Sequence, residues 1–294
     1  MISRSSAPPA VKQMGRQLSR VVGMGTASVR MLPDFLLVGA QRAGTTAVHR
    51  ALAAHPATVI PLFHKGVNYF DIGYYRGSRW YRGHFPVRAW AEHRTSGVAG
   101  GPRAFESSGY YMFHPCAAER IRRDLPDVKL LVTLRDPVER AYSQHKHELM
   151  RGFETVESFE EALELEPSRL AGEAQKMRAD ARYQSFSHRH HAYVAKSQYV
   201  EQIRPLFELF GRDRVHVVDS ETFGAEPQAT FDEILDFLSL PPFQPDTFGR
   251  WNARPREPMA ETTRRRLETH FAPYDAALSE LLGRPLAWQE GSRR

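Results

Sequence analysis

One stretch constrains this chain more than any other: Phe35-Leu-Leu-Val-Gly-Ala-Gln-Arg-Ala-Gly-Thr-Thr46. Four apolar residues running into a glycine predict a buried strand over Phe35–Val38. The stripe Ala47, Val48, Ala51 and Leu52 predicts an amphipathic helix from Thr45 onward. A strand, a turn and a helix start gather unpaired backbone N–H groups and partial positive charge at one point, which binds anions. Gly44 lets the backbone approach an anion closely, Thr45 and Thr46 add hydroxyls, and Arg42 adds a fixed positive charge.

A nucleotide-triphosphatase loop would read Gly-x-x-x-x-Gly-Lys-Ser/Thr. Gly39 and Gly44 have that spacing, but Thr45 stands where the lysine belongs. Alone, such a turn is also compatible with a plain strand-to-helix connection. A second segment narrows the choice. Lys129-Leu-Leu-Val-Thr-Leu134 predicts another buried strand, followed directly by Arg135-Asp-Pro-Val-Glu-Arg-Ala-Tyr-Ser143. Asp136 fits an N-cap, Pro137 the first helical position, and Glu139 the third residue of a capping box. The rival role for Asp136 is a metal-binding aspartate. Arg135 then lies at a strand end and Ser143 about two turns into a helix, both directed toward the sheet edge where α/β folds bind ligands.

With both segments in view, the chain resembles sulfotransferases that use 3′-phosphoadenylyl sulfate (PAPS). Gln41-Arg-Ala-Gly-Thr-Thr46 is similar to their 5′-phosphosulfate loop, and Arg135-Asp-Pro-x-x-Arg-x-x-Ser143 to their 3′-phosphate motif. The resemblance is to the heparan-sulfate-type branch and its bacterial relatives. It is carried further by Asn68-Tyr-Phe-Asp71, Tyr75-x-Gly-x-x-Trp-Tyr-Arg82, Phe105-Glu-Ser-Ser-Gly-Tyr-Tyr111, Ser158-Phe-Glu-Glu-Ala162, Ser197-Gln-Tyr199 and Leu282-Gly-x-x-x-x-Trp288.

This likeness implies an α/β fold of P-loop type, a mainly parallel sheet with helices on both faces. It implies donor binding by Gln41, Arg42, Ala43, Gly44, Thr45, Thr46, Arg135, Ser143 and Tyr199. Arg254 matches a further basic residue of the family by spacing, although Asn252 and Ala253 replace the usual lysine and glycine before it. The implied donor is PAPS and its product adenosine 3′,5′-bisphosphate (PAP), with no metal. Arg42, where the family usually has lysine, keeps the charge but does not readily give up a proton, so it is expected to act as an electrostatic clamp.

The acceptor side departs from the family. Its Lys-Glu-x-His-Phe-Phe pattern corresponds to Lys65-Gly-Val-Asn-Tyr-Phe-Asp71, so Gly66 stands at the glutamate and Asn68 at the histidine, and a family lysine corresponds to Ser107. An acceptor hydroxyl still has to lose a proton to a base within reach. His64, Asp71 and Glu106 are the candidates, with Lys65 retained beside them; each also has a structural reading, Glu106 most of all. A phenolic acceptor, being more acidic, would need less help.

Composition fits an enzyme of this kind. The 294 residues suffice for one large domain, expected over 34–294, and the single cysteine, Cys116, excludes an intrachain disulfide. A net charge of +6 and a pI near 9.5 suit an anionic donor without implying nucleic acid. No apolar run approaches a membrane span, and a cytoplasmic enzyme of bacterial type is expected.

Residues 1–33 form a basic leader with Arg4, Lys12, Arg16, Arg20 and Arg30 and no acid. The helical spacing of Val11, Met14, Leu18 and Val21 is compatible with a membrane-surface helix, with transit-peptide character, or with a disordered leader. Helices are further expected over Glu154–Leu170, Tyr199–Phe210, Phe231–Leu238 and Glu261–Phe271, and a strand over Val215–Val218. His188, His190 and His191 in a polar segment invite a metal reading that no second ligand cluster supports. The expected acceptor is a carbohydrate, glycolipid or natural product. The alternatives are a fold that binds nucleotide without turnover and a small-molecule kinase, the latter disfavoured by Thr45.

Overall fold

Phe35–Gly39 forms the middle strand, β1, of a five-stranded sheet in a computed structural model that describes residues 22–62, 64–249 and 257–291. The other strands are β2 (Thr58–Val59), β3 (Arg103–Ser107), β4 (Lys129–Leu134) and β5 (Val215–Asp219), in the order β2-β3-β1-β4-β5. All four pairings are parallel, with Leu36 opposite Glu106 and Leu130, and Leu134 opposite Asp219. Side chains of β1 alternate between two cores. Leu36 and Val38 pack in one, Phe35 and Leu37 in the other. A strand buried on both faces needs an unbroken apolar run, which is why the pattern was legible.

The helices that frame the site are α1 (Thr45–Ala54), α2 (Pro137–Met150), α3 (Phe159–Leu170), α4 (Val200–Phe210) and α5 (Glu261–Leu282). After β1 the chain moves outward through β2 and β3, then returns past β1 to β4 and β5. The order therefore reverses between β1 and β4, and a reversal of this kind opens a crevice at the carboxyl ends of the strands. The Gln41–Thr46 and Arg135–Ser143 motifs follow directly from those two strands.

Three helix limits differ from expectation, one of them a start at Pro227 in place of Phe231. The helix expected from Glu154 begins only at Phe159, where the Ser158 hydroxyl accepts from the Glu161 amide at 3.2 Å. Glu154 instead folds back, accepting from the Thr155 and Val156 amides at 2.8 and 2.9 Å and from Arg169 at 2.6 Å. A carboxylate that captures its own following amides withholds them from a helix. The last long helix runs to Leu282 through Pro273, well beyond Phe271. Residues 22–33 lie against the domain: Arg30 donates to the Phe85 carbonyl, and the Met31 amide to that of Pro86 at 3.0 Å. The rest of the leader, residues 1–21, lies outside the described residues.

Candidate active site

The turn after β1 is built by its backbone. Gly44 has φ +81°, and Arg42, unusually for a non-glycine residue, has φ +68°. The left-handed turn leads into the N-terminus of α1 at Thr45. Arg42 Nε donates to Ser143 Oγ at 3.2 Å. Ser143 belongs to α2, whose start is fixed by Asp136: its Oδ1 accepts from the Val138 and Glu139 amides at 2.8 and 3.0 Å, with Pro137 first in the helix. The two motifs, about a hundred residues apart in the chain, thus meet through a direct hydrogen bond. Asp136 is engaged as a cap.

Lys65 arrives from outside the loop. Its Nζ lies 3.3 Å from both Thr45 Oγ1 and Thr46 Oγ1. A lysine is therefore present at the loop after all, carried by the segment after β2. Burial, reinforced by the nearby Arg50 charge, lowers its pKa to about 8.

Arg42, Ala43, Gly44, Thr45, Thr46, Arg135 and Ser143 line one cleft of about 1130 Å³. Lys146 and His147, one turn beyond Ser143, line it too, as do Ser220, Glu221, Phe223 and Phe248 on the far wall. Cations, helix-terminal amides and an aromatic wall in a cleft of this size fit a nucleotide carrying two phosphate groups.

Gln41 and Tyr199 support the site from behind. The Gln41 side chain accepts from Lys196 Nζ at 3.1 Å, and its carbonyl from Arg140 at 3.5 Å. Arg140 is completely buried, and its guanidinium is held by Ser197 Oγ and Gln144 Oε1, each at 2.6 Å, and by the Tyr193 carbonyl. Tyr199 is buried and donates to the Arg135 carbonyl at 2.8 Å, so it positions Arg135. Arg254 lies outside the described residues. Arg140 and Lys196 were missed as supporting residues. The signal was available, since Arg140 sits inside the Arg135–Ser143 motif and Lys196 directly precedes Ser197-Gln-Tyr199.

The three base candidates fall in different environments. Glu106 accepts from the Val67 amide and from the Ser108, Tyr111 and Tyr81 hydroxyls, at 2.7, 2.6, 2.7 and 3.2 Å. All its oxygens are engaged in holding the segment after Lys65 against β3. Asp71 is 2% exposed; one oxygen accepts from the Ile72 amide at 2.6 Å, the other is buried without a partner, and burial raises its pKa to about 7. None of the three, His64 included, lines the cleft. Of the three, only His64 is partly exposed.

Gly66 is enclosed. A Cβ there would fall 2.3 Å from the Ser107 carbonyl oxygen and 2.6 Å from Ser108 Oγ. The position that the motif resemblance sets at the family's glutamate is closed by backbone in this chain.

The clustered histidines have separate partners: His188 meets the Tyr110 hydroxyl at 2.8 Å, His190 the Glu148 carboxylate at 2.9 Å, and His191 the Phe153 carbonyl at 2.9 Å. Among the described residues no group of three or more His, Cys, Asp or Glu is arranged to hold a metal ion. Nor is any helix among them long and apolar enough to cross a membrane.

Comparison with known proteins agrees with this geometry. The model of the sulfotransferase domain family matches residues 32–248. A crystal structure of a sulfotransferase from Alicyclobacillus acidocaldarius superposes with a TM-score of 0.64 at 30% identity, over 90% of this chain and 100% of that one. The membrane-associated sulfotransferase kil1 of Dictyostelium discoideum is 24% identical over 88% of this chain and 67% of its own length. The human bifunctional heparan sulfate N-deacetylase/N-sulfotransferase 3 is 25% identical over 87% of this chain, which spans only 31% of that protein.

Proposed function

This chain belongs to the sulfotransferase domain family, and on that premise we propose that it moves a sulfuryl group from PAPS to a hydroxyl or amine of a carbohydrate, glycolipid or natural-product acceptor. The observation that carries the donor assignment is the Arg42–Ser143 hydrogen bond, which unites the phosphosulfate-type and 3′-phosphate-type motifs in one cleft. Arg42, Lys65 and the α1 N-terminus face the bridging phosphate, where negative charge grows as the sulfuryl group leaves; Arg135 and Ser143 hold the 3′-phosphate. Support for a glycan acceptor comes from the heparan sulfate relatives alone. We assign His64 as the base, because Asp71 is enclosed and Glu106 is saturated.

One observation favours a second reading, nucleotide binding without turnover: the closed glutamate position at Gly66. Calorimetry and a transfer assay separate the two. The protein is expected to bind PAP, and Arg135→Ala to weaken that binding by about ten- to a hundredfold, the loss of a charge-assisted hydrogen bond, while adenosine 5′-phosphate binding changes little. Labelled PAPS is expected to transfer sulfate to members of a panel of sugars, glycolipids and phenols. His64→Ala is expected to slow transfer and leave PAP binding intact. Binding of PAP without transfer would favour the second reading; tight ATP binding with no PAP binding would overturn both.

The Lys65 environment adds a pH dependence. A bound anion favours the protonated amine, so the complex keeps its proton to higher pH than the free protein. PAP affinity is therefore expected to fall as pH rises through about 8, by up to about tenfold per pH unit. Lys65→Arg keeps its charge and is expected to flatten the profile; equal slopes for parent and variant would remove Lys65 from the donor site.

A further inference from the structure

Exposed apolar side chains are not scattered evenly over the molecule. Six of the nine large ones among the described residues are Val22, Met24, Val29, Ile60, Leu62 and Trp90, each between 36% and 55% exposed. They come from three separate segments that converge on residues 83–94. The backbone at Gly23 packs directly against Gly83. The Leu62 amide donates to the His84 carbonyl at 3.2 Å. Arg30, next to Val29, forms a β-bridge with Val87. Arg94 lies over the Trp90 ring and donates to the Thr58 carbonyl at 3.1 Å, two residues before Ile60.

The charge around this face is mainly basic. Arg79, which donates to the Met24 carbonyl at 3.4 Å, Arg88 and Arg94 are exposed there, and the acids near them are Glu92 and Asp34, the latter beside Arg88. The chain also enters the described structure here, at Val22, after a segment containing Arg4, Lys12, Arg16 and Arg20 and no acid.

We propose that this face docks on an anionic lipid bilayer. Apolar side chains ringed by arginine match an interface of acyl chains under negative headgroups, where each basic residue gains from the surface potential. A second copy of the chain is the poorer match, because the same arginines would oppose one another across the contact. Lys65 follows Leu62 by only three positions, so a docked surface would lie within about 11 Å of chain from the residue that touches the donor loop. The docking does not depend on the transfer reaction, and its failure would leave the donor assignment untouched.

The test is co-sedimentation of the full chain with vesicles of phosphatidylcholine alone or mixed with phosphatidylserine, comparing the parent with the double variant Leu62→Glu/Trp90→Glu. PAP binding serves as the control for folding. The parent is expected to pellet with the mixed vesicles only and to be released by salt, and the double variant to lose at least tenfold in bound fraction at unchanged PAP affinity. Three results would overturn the proposal: a parent that stays in the supernatant, equal binding to neutral vesicles, or a double variant that binds like the parent. Sedimentation velocity without lipid covers the other occupant: a parent dimer broken by the double variant would make this face a self-interface.

Discussion

Arg42→Ala is expected to lower turnover by about 10²- to 10³-fold, the cost of removing one preorganised group from a developing anion. Arg42 is placed for this role by its left-handed backbone and its hydrogen bond to Ser143. That conformation makes the comparison clean: alanine at φ +68° bears the same backbone cost as arginine, so the two should melt at similar temperatures. Arg42→Gly relieves the backbone yet lacks the charge, and it should be as slow as the alanine variant while no less stable. Single-turnover transfer from labelled PAPS, read beside thermal unfolding, checks both points. A slow alanine variant beside a fast glycine variant would mean that the turn, not the guanidinium, limits the reaction.

Restoring the family glutamate should fail. Gly66→Glu is expected to lower stability by about 2–3 kcal/mol, at the upper end for inserting atoms into packed structure, and the melting temperature by roughly 3–5 °C. The new Cβ would meet a backbone carbonyl at 2.3 Å, not the yielding end of a side chain. The two segments cannot easily part, because the Ser107 amide donates to the Lys65 carbonyl at 2.9 Å and the Val67 amide to Glu106 at 2.7 Å. Separation would break these bonds and displace Lys65 from the loop. A Gly66→Glu protein as stable as the parent and faster in transfer would show that the glutamate was simply lost and that the site still has room for it.

The local structure around the proposed donor site was legible in the sequence because local chemistry specifies it. An apolar run for a strand buried on both faces, a glycine turn, and the Asp136–Pro137 cap each determine their own backbone, and both motifs sit at the ends of adjacent strands. The short β2 and the five-residue β3 (Arg-Ala-Phe-Glu-Ser) carry no such run, and only pairing with their neighbours makes them strands. The environments of Asp71 and Glu106 were equally hidden. Whether a carboxylate is free or saturated depends on partners such as Tyr81 and Tyr111, set by tertiary packing. Lys65 is the intermediate case: the motif comparison singled it out, but its position on the two loop threonines follows from the path of the chain after β2.

Arg140 has an electrostatic consequence of its own. Its hydrogen bonds go to a hydroxyl, a side-chain amide and main-chain carbonyls, and no carboxylate forms an ion pair with it among the described residues. Neutral dipoles stabilise a cation without cancelling its charge. Directly beneath the Gln41–Thr46 turn, the domain therefore holds a buried positive charge, offset only in part by the Glu166 carboxylate, which forms no ion pair with it. Mobile ions screen such a buried source far less than an exposed one, and a guanidinium does not titrate in the working range. Arg140 thus supplies the cleft with a standing potential that changes in pH and ionic strength scarcely alter, against which the half-buried Arg42 and Arg135 and the titrating Lys65 act as the adjustable part.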